Sequence, residues 1–344
     1  MSRCAIVGTN APVFMMKYWL KNFERWEDEV DKVYMVVDLK DSKDSGLYGL
    51  EPSIWEYVEK MLTSHPKIEL IRGKEGWPNT YKEGVLASKE EKILILHDDV
   101  FIKDGGIIKD GFDMLEEGRI VTPMNSMYSP VELVEEAMDN RFYWFQIKTN
   151  DFQKTGYSFL TYFLFLHRKD LMKTSLDFGG WSLHKDEYSP LLDTVAKVEW
   201  AGDTGFKLEL EMLNNGVNIR ALPRFPFSDL DIARQYVKKE GVFSEDCRWI
   251  HIMAMGTSIG AWVPKLKSRD VRPVDQVGKH NEDHTAMKLA WLQKFIDCDD
   301  FTGLQEYKKF YEEELSYIIN RLKVNKRKIK IYRYFFDLLM EEGS

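Results

Sequence analysis

The feature that most constrains the fold is a repeated pattern in the first hundred residues, where short apolar runs alternate with helix-like amphipathic stretches. Runs of this kind predict strands buried on both faces, and the stretches between them predict the helices that cover those faces. The predicted strands are Cys4 to Val7, Val33 to Val37, Ile68 to Ile71 and Lys92 to Leu96. The alternation is typical of an α/β fold with a mostly parallel central sheet flanked by helices.

Further segments extend the pattern beyond the fourth strand. We expect helices over residues 106–115 and 203–213, strands over 120–122, 157–167 and 217–222, and mainly helix after residue 275. Within this last region the stretch 304–339 is amphipathic.

Composition narrows the class of protein. The 344 residues are 44% hydrophobic and 30% charged, which is enough apolar material for a large core. The net charge of −8 argues against an extended nucleic-acid-binding surface, although a local basic patch stays open. Three scattered cysteines without a CxxC pair indicate neither a disulfide framework nor a thiolate zinc site. Without a signal-like or 20-residue apolar segment, we expect a cytoplasmic protein.

Polar side chains follow the predicted strands at their carboxyl ends. They are Thr9 after the first strand, Asp38 after the second, Arg72 after the third, and the run His97-Asp98-Asp99 after the fourth. Ligands of parallel α/β sheets bind outside these ends, so the residues that stop the strands are candidate binding residues.

The run His97-Asp98-Asp99 carries the strongest chemical signal. Side chains alternate across a strand, so His97 and Asp99 are expected on one side and Asp98 on the other. Because buried charges need partners, a divalent cation held by Asp99 and His97 answers that need, and Asp98 is left to bind a ribose hydroxyl or to contact the ion through water. Mixed imidazole and carboxylate ligands favour Mn²⁺ over Mg²⁺. The alternative is that the acids only cap the following turn.

This layout resembles the GT-A fold glycosyltransferases, especially the family 2 group, over about residues 3 to 255. In that family a buried strand ends in a DxD-type motif that holds the metal and the nucleotide-sugar diphosphate. Here the motif reads His97-Asp98-Asp99, with histidine in place of the first acid and Asp99 as the retained metal-binding acid.

Three further positions match the family pattern. Thr9 stands where the family contacts the nucleotide base, and Asp38 where it places a base- or ribose-binding acid. Asn79, followed by Tyr81 and Lys82, lies where the family carries a polar segment near the nucleotide. The residues after Asp38 depart from the family's usual acidic turn, which leaves the donor undetermined.

The resemblance implies a GT-A catalytic domain over residues 1–265, with a nucleotide-binding half (about 1–122) and an acceptor half (about 123–265), and a helical C-terminal extension over 266–344. It also implies a metal-dependent transfer of sugar from a nucleoside-diphosphate sugar, with a UDP-sugar favoured, to an acceptor that the sequence does not identify. Whether the transfer inverts or retains the anomeric centre stays open.

Two later positions complete the implied site. Asp203 stands where inverting members carry an acidic pair that supplies the catalytic base, and its alternative role is that of a helix N-cap. His251 stands where many GT-A enzymes carry a histidine that completes the metal shell, and its alternative is a core histidine. Trp181 is open to sugar stacking or to the core, and the pair His280 and His284 to metal binding or to a solvated turn.

A basic stretch from Arg321 to Arg333 lies in the C-terminal extension. We interpret it first as a solvated helix face, with an anionic membrane, nucleic acid or a partner helix as alternative contacts.

Two other functions stay open. One is a catalytically degenerate GT-A domain that binds nucleotide sugar or acts as a scaffold. The other is a sugar-phosphate nucleotidyltransferase, which the segment Gly8 to Pro12 disfavours because it lacks the glycines and basic residue that grip a triphosphate.

Overall fold

The computed structural model describes residues 1–9, 19–38, 59–74, 76, 78–122, 163–191, 194–195, 200–202, 204–221, 249–251, 285–286, 289–290, 293–294, 296–297 and 305–340. Within these residues the strands are β1 Arg3–Thr9, β2 Lys32–Asp38, β3 Ile68–Gly73, β4 Lys92–His97, β5 Val100–Ile102, β6 Arg119–Thr122, β7 Phe163–His167, β8 Trp181–Leu183, β9 Tyr188–Ser189, β10 Thr194–Val195, β11 Trp200–Gly202, β12 Asn218–Ala221 and β13 Trp249–His251. The helices that we label are α1 Thr80–Ala87, α2 Gly106–Met114, α3 Arg168–Leu171, α4 Phe206–Asn214, α5 Gln305–Leu322 and α6 Lys326–Met340. Residues 19–23 and 59–63 are also helical, and Glu27–Glu29 forms one turn of 3-10 helix.

The central sheet has seven strands in the order β12-β6-β7-β4-β1-β2-β3. Strands β3, β2, β1 and β4 are parallel neighbours, as are β6 and β12, whereas β7 runs antiparallel to both β4 and β6. Three two-stranded pairs, β5 with β13, β8 with β11 and β9 with β10, lie outside this sheet. The predicted mostly parallel α/β fold is therefore confirmed.

Helices pack on both faces of the sheet. One face carries Ile6 of β1 and Ile95 of β4 in a buried cluster with Tyr81 of α1 and Met212 of α4. On the opposite face, the ring of Phe112 in α2 packs edge-on against Phe165 of β7, with ring centroids 5.1 Å apart. Solid apolar strands are the expected consequence of this double cover.

A glycine sets the close packing of α1 on the sheet. A methyl group added at Gly84 would overlap Cγ2 of Ile6 in β1 and crowd Cγ2 of Val36 in β2. The glycine lets α1 lie directly on the two strands. This packing fixes the N-terminal turn of α1, which contains Tyr81, beside the carboxyl ends of the strands.

The four predicted N-terminal strands are confirmed within two residues at each end. The helix expected from Asp203 begins three residues later, at Phe206. Gly205 is its N-cap, with a left-handed φ of 82°. That conformation suits glycine and ends the preceding loop.

The expectation of mainly helix after residue 275 is confirmed over most of residues 305–340. The chain forms two helices, α5 and α6, which we call the C-terminal hairpin. Lys323 adopts a positive φ of 52°, and the Asn325 side chain accepts a hydrogen bond from the Arg327 backbone N–H at 2.9 Å. An asparagine cap of this kind starts a new helix. Of the helices described, none has the length and apolarity that crossing a membrane requires.

Candidate active site at the carboxyl edge of the sheet

The strand register gathers the predicted site residues at one edge of the sheet. Thr9 lies opposite Val37 in the pairing of β1 with β2, and Gly8 lies opposite His97 in the pairing of β1 with β4. Asp38 lies opposite Gly73 at the end of β3. Strand order reverses between β1 and β4, because β2 and β3 extend from one side of β1 and β4 adds to the other. Such switch points are where α/β sheets bind ligands.

Two carboxylates lie at this switch point. Strand β4 ends at His97, and Asp98 and Asp99 form the turn that leads into β5. Both aspartates are buried, at 6% and 4% exposure. Burial of two adjacent carboxylates requires specific partners, because an uncompensated charge in the interior is costly.

Asp98 has its partner on the neighbouring strand. The buried Thr9 hydroxyl donates a hydrogen bond to Oδ2 of Asp98 at 2.5 Å, across a sequence separation of 89 residues. A hydrogen bond to a carboxylate is short and strong, so it fixes the orientation of Asp98. The expected role of Thr9 as a direct base contact stays a prediction, and its observed contact is with Asp98.

His97 and Asp99 lie together, as predicted. Nδ1 of His97 is 3.7 Å from Oδ1 of Asp99, and the His97 side chain is 17% exposed. The Asp98 side chain is directed to Thr9 instead, so it is separated from His97 and Asp99 as predicted. The sequence predicts this grouping from the alternation of side chains along a strand. In the structure the strand ends at His97, and the turn that follows it positions Asp98 and Asp99.

Tyr81, which the sequence pattern places only in a polar segment, forms a wall of the site. Its ring stacks on the His97 imidazole, with centroids 5.8 Å apart and an interplanar angle of 13°. Complete burial, followed by the nearby charges of Asp98 and Asp99, raises the pKa of Tyr81 well above its ordinary value. The phenol therefore stays protonated beside the two carboxylates. Its position at the start of a helix that follows Pro78 was the available sequence signal.

The second half of the chain contacts this wall. The ring of Phe178 lies 5.5 Å from that of Tyr81, and the Phe178 carbonyl accepts a hydrogen bond from the Gly205 N–H at 2.8 Å. Beside it, Asp177 pairs with Lys207 at 2.8 Å. Burial by itself would raise the pKa of Asp177. The hydrogen bonds from Lys207 and the Gly179 backbone, together with the charge of Lys82, outweigh burial and hold this pKa below its usual value. The loop before α4 is thus tied to the Tyr81 side of the site.

The donor atoms of His97 and Asp99 fit a shared divalent cation. Ligand atoms about 2.1 Å from one ion lie at most about 4.2 Å from each other, and the observed 3.7 Å falls within that limit. In the part of the chain that the structure describes, no cluster of three or more His, Cys, Asp or Glu side chains forms a metal site. Two of the three predicted ligands are therefore brought together.

The third predicted ligand, His251, lies next to these two in the backbone. Strand β13 pairs antiparallel with β5, and His251 is in register with Val100, the residue after Asp99. Paired residues of antiparallel strands have Cα atoms about 5 Å apart. The His251 side chain lies outside the described part, so its ligation stays a prediction.

The other predicted site residues occupy different surroundings. Arg72 is largely exposed and pairs with Glu59 at 2.8 Å. Asn79 is half-buried and occupies the N-cap position of α1 without a side-chain cap hydrogen bond. Asp203, the side chains of Asp38 and Trp181, and the pair His280 and His284 lie outside the described residues.

Comparisons with known proteins give structural likenesses only. No protein-family model matches the sequence, and no curated protein matches it. One similar structure is 4-diphosphocytidyl-2C-methyl-D-erythritol synthase from Anaerococcus prevotii, at 11% identity over 64% of this chain and 86% of that one, with a TM-score of 0.40. The galactosyltransferase LgtC is 10% identical over 73% and 86%, with a TM-score of 0.39. The mannosyltransferase PcManGT from Pyrobaculum calidifontis is 9% identical over 92% and 86%, with a TM-score of 0.38.

Proposed function

We propose that this chain is a metal-dependent glycosyltransferase that moves a sugar from a nucleoside-diphosphate sugar, with a UDP-sugar favoured, to an acceptor. One observation carries the proposal. At the switch point between β1 and β4, Asp98 is held by Thr9 while His97 and Asp99 approach each other to 3.7 Å. Buried acids placed at this edge suit a ligand that brings both a cation and a diphosphate.

The metal ligands in this proposal are His97 and Asp99, with His251 as the third. The imidazole and carboxylate set favours Mn²⁺, and Mg²⁺ is the second choice. When bound, the cation supplies charge neutralisation on the departing diphosphate. Tyr81 stacks on the His97 ring and so limits its rotation. The site is therefore oriented before any metal enters, which lowers the ordering cost of binding.

Residues around the cluster bind the nucleotide in this proposal. Asp98 accepts from a ribose hydroxyl with its remaining lone pairs, and Thr9 sets its direction. Asp38, Arg72 and Asn79 supply the further contacts expected at the ends of β2 and β3 and at the start of α1. Support for this part is their position at one edge of the sheet.

Asp203 is the proposed base for the acceptor hydroxyl. Support comes from its neighbours in the chain. Gly202 is paired with Trp181 in β8, and the Gly205 N–H bonds to the Phe178 carbonyl beside Tyr81. Both flanking residues are thus tied to the segment that packs on the metal side. A base needs proximity to the acceptor and a suitable pKa.

A thermal-shift screen tests donor binding. We expect UDP or a UDP-sugar with Mn²⁺ to raise the melting temperature, because a ligand that binds only the folded state stabilises it by mass action. Asp99→Asn is expected to lose the Mn²⁺-dependent part of the shift. Asp28→Asn is the matched control, since Asp28 is an exposed aspartate before the amino end of β2. An absent shift with every nucleoside diphosphate contradicts the proposal.

Turnover separates the enzyme from its alternatives. Mn²⁺-dependent hydrolysis or transfer from a panel of UDP- and GDP-sugars is expected, and Asp203→Asn should reduce transfer while it leaves donor binding intact. Tight donor binding without turnover, after an acceptor screen, identifies a binding module instead. Pyrophosphate release from a nucleoside triphosphate and a sugar phosphate identifies a nucleotidyltransferase.

A further inference from the structure

Two groups of charged side chains in the C-terminal hairpin differ in their contacts. One group holds the hairpin to the segment before it. Arg333 of α6 pairs with Asp297, and Lys294 pairs with Asp337 of α6. The buried Tyr332, at 0% exposure, accompanies these two ion pairs on α6. Arg333 and Asp337 therefore have a structural role in docking α6.

The second group faces water. Arg321, Lys323, Lys326 and Lys330 are exposed, and none of them forms an ion pair with a residue that the structure describes. They belong to a run of thirteen residues that contains seven basic and no acidic side chains, in a chain whose net charge is −8. A positive surface on a negative protein attracts anions locally and steers them to one place.

A cavity of about 290 Å³ opens within this surface, between α5 and α6. Its polar lining consists of Lys326 and Lys330 from α6, Ser316 and Asn320 from α5, and Gln293. Two isoleucines complete the described lining, which includes no acidic residue. The two lysines are one helical turn apart, so their side chains share a face of α6.

We propose that this cavity binds a phosphate group, carried either by a soluble phosphate ester or by a phospholipid headgroup. Two ammonium groups supply the charge, and the amides of Asn320 and Gln293 and the hydroxyl of Ser316 supply further donors. The volume lies at the low end for ligand pockets and so suits one small anionic group. Arg321 and Lys323 lie outside the lining and only raise the local potential. No residue of this lining belongs to the proposed transferase site.

Phosphate titration of the full chain tests this site. Inorganic phosphate is titrated at constant ionic strength against chloride, with melting temperature and ³¹P NMR line width as readouts. Lys326→Gln/Lys330→Gln is expected to weaken phosphate binding about tenfold or more, because charge-assisted hydrogen bonds are lost. Arg321→Gln/Lys323→Gln removes the same charge outside the cavity and is expected to change binding less than about twofold. Ser316→Phe fills the cavity without a change of charge and should also block binding.

Two further arms distinguish the source of the phosphate. Stronger binding to glycerol 3-phosphate than to inorganic phosphate identifies a soluble ester. Sedimentation with phosphatidylcholine vesicles that contain phosphatidic acid, but not with those that contain equally charged phosphatidylserine, identifies a lipid headgroup. The proposal is overturned if wild type shows no phosphate binding, or if both double variants lose it equally. It is also overturned if poly(U) RNA binds while phosphate does not.

Discussion

The carboxyl edge of the sheet and the C-terminal hairpin both concentrate charge, but in opposite ways. At the edge, buried Asp98 and Asp99 depend on partners far away in sequence, such as Thr9. In the hairpin, seven cations lie within thirteen residues, and most of them are exposed. Buried charges are strongly coupled to a few neighbours, whereas exposed charges act weakly and are screened by salt. Single substitutions should therefore matter at the edge, and only combined ones in the hairpin.

The largest expected effect is at Asp99. Asp99→Asn removes the carboxylate that we propose as a metal ligand, and Mn²⁺-dependent turnover of the sugar donor is expected to fall about 100-fold or more. The measurement is kcat/KM for donor hydrolysis at saturating Mn²⁺. Asp28→Asn serves as the control and should retain activity within about twofold. Equal turnover in Asp99→Asn and wild type would remove Asp99 from the metal site.

The second-largest effect is expected for Thr9→Val, which tests the coupling of the buried carboxylate to its partner. The substitution keeps the shape of the side chain but leaves the buried Asp98 carboxylate without its hydroxyl donor. We expect a loss of about 2 kcal/mol in the free energy of unfolding, measured by urea denaturation. Thr63→Val is the matched control, since the Thr63 hydroxyl bonds to a helix carbonyl at an exposed position, and it should cost less than about 0.5 kcal/mol. Similar losses of unfolding free energy in Thr9→Val and Thr63→Val would contradict the distinction between buried and exposed hydrogen bonds.

The buried phenol of Tyr81 is expected to make the stability of the protein depend on pH in the alkaline range. Its pKa is raised in the folded state by burial and by Asp98 and Asp99, so above about pH 10 the unfolded chain releases a proton that the folded chain keeps. Stability is then expected to fall by about 1.4 kcal/mol per pH unit from this group. Tyr81→Phe should reduce that slope in urea unfolding measured between pH 9.5 and 11. An unchanged slope would argue against the burial of the phenol.

The smallest effect is expected in the hairpin. Lys326→Gln/Lys330→Gln removes two exposed charges that pair with no described residue, so stability should change by less than about 0.5 kcal/mol and donor turnover should not change. Urea unfolding and donor hydrolysis measure the two quantities. A marked loss of stability would mean that these lysines help to dock the hairpin, as Arg333 does.

Sequence patterns predict the features of this molecule that depend on residues close together in the chain. Apolar runs end at polar residues, so Thr9 and His97 were placed at strand ends before their contacts were known. The hydrogen bond from Thr9 to Asp98 and the stacking of Tyr81 on His97 were not predicted, because strand–helix alternation alone does not make β1 the neighbour of β4.

Helix boundaries were harder to predict for physical reasons. Aspartate is a favoured cap, so the sequence predicts a helix start at Asp203. The N-cap is instead Gly205, whose left-handed backbone is not visible in the sequence pattern. The break between α5 and α6 is marked by Asn325, whose capping signal was hidden within an amphipathic pattern that continues across the turn.

Manganese binding tests the central claim most directly. Mn²⁺ is titrated into the protein with UDP present, and free Mn²⁺ is followed by electron paramagnetic resonance in wild type, Asp99→Asn and Asp28→Asn. One tight site in wild type and in Asp28→Asn, weakened about 100-fold in Asp99→Asn, is the predicted result. Equal Mn²⁺ affinity in all three proteins, or none in wild type, would contradict a metal and nucleotide site at the edge of the sheet.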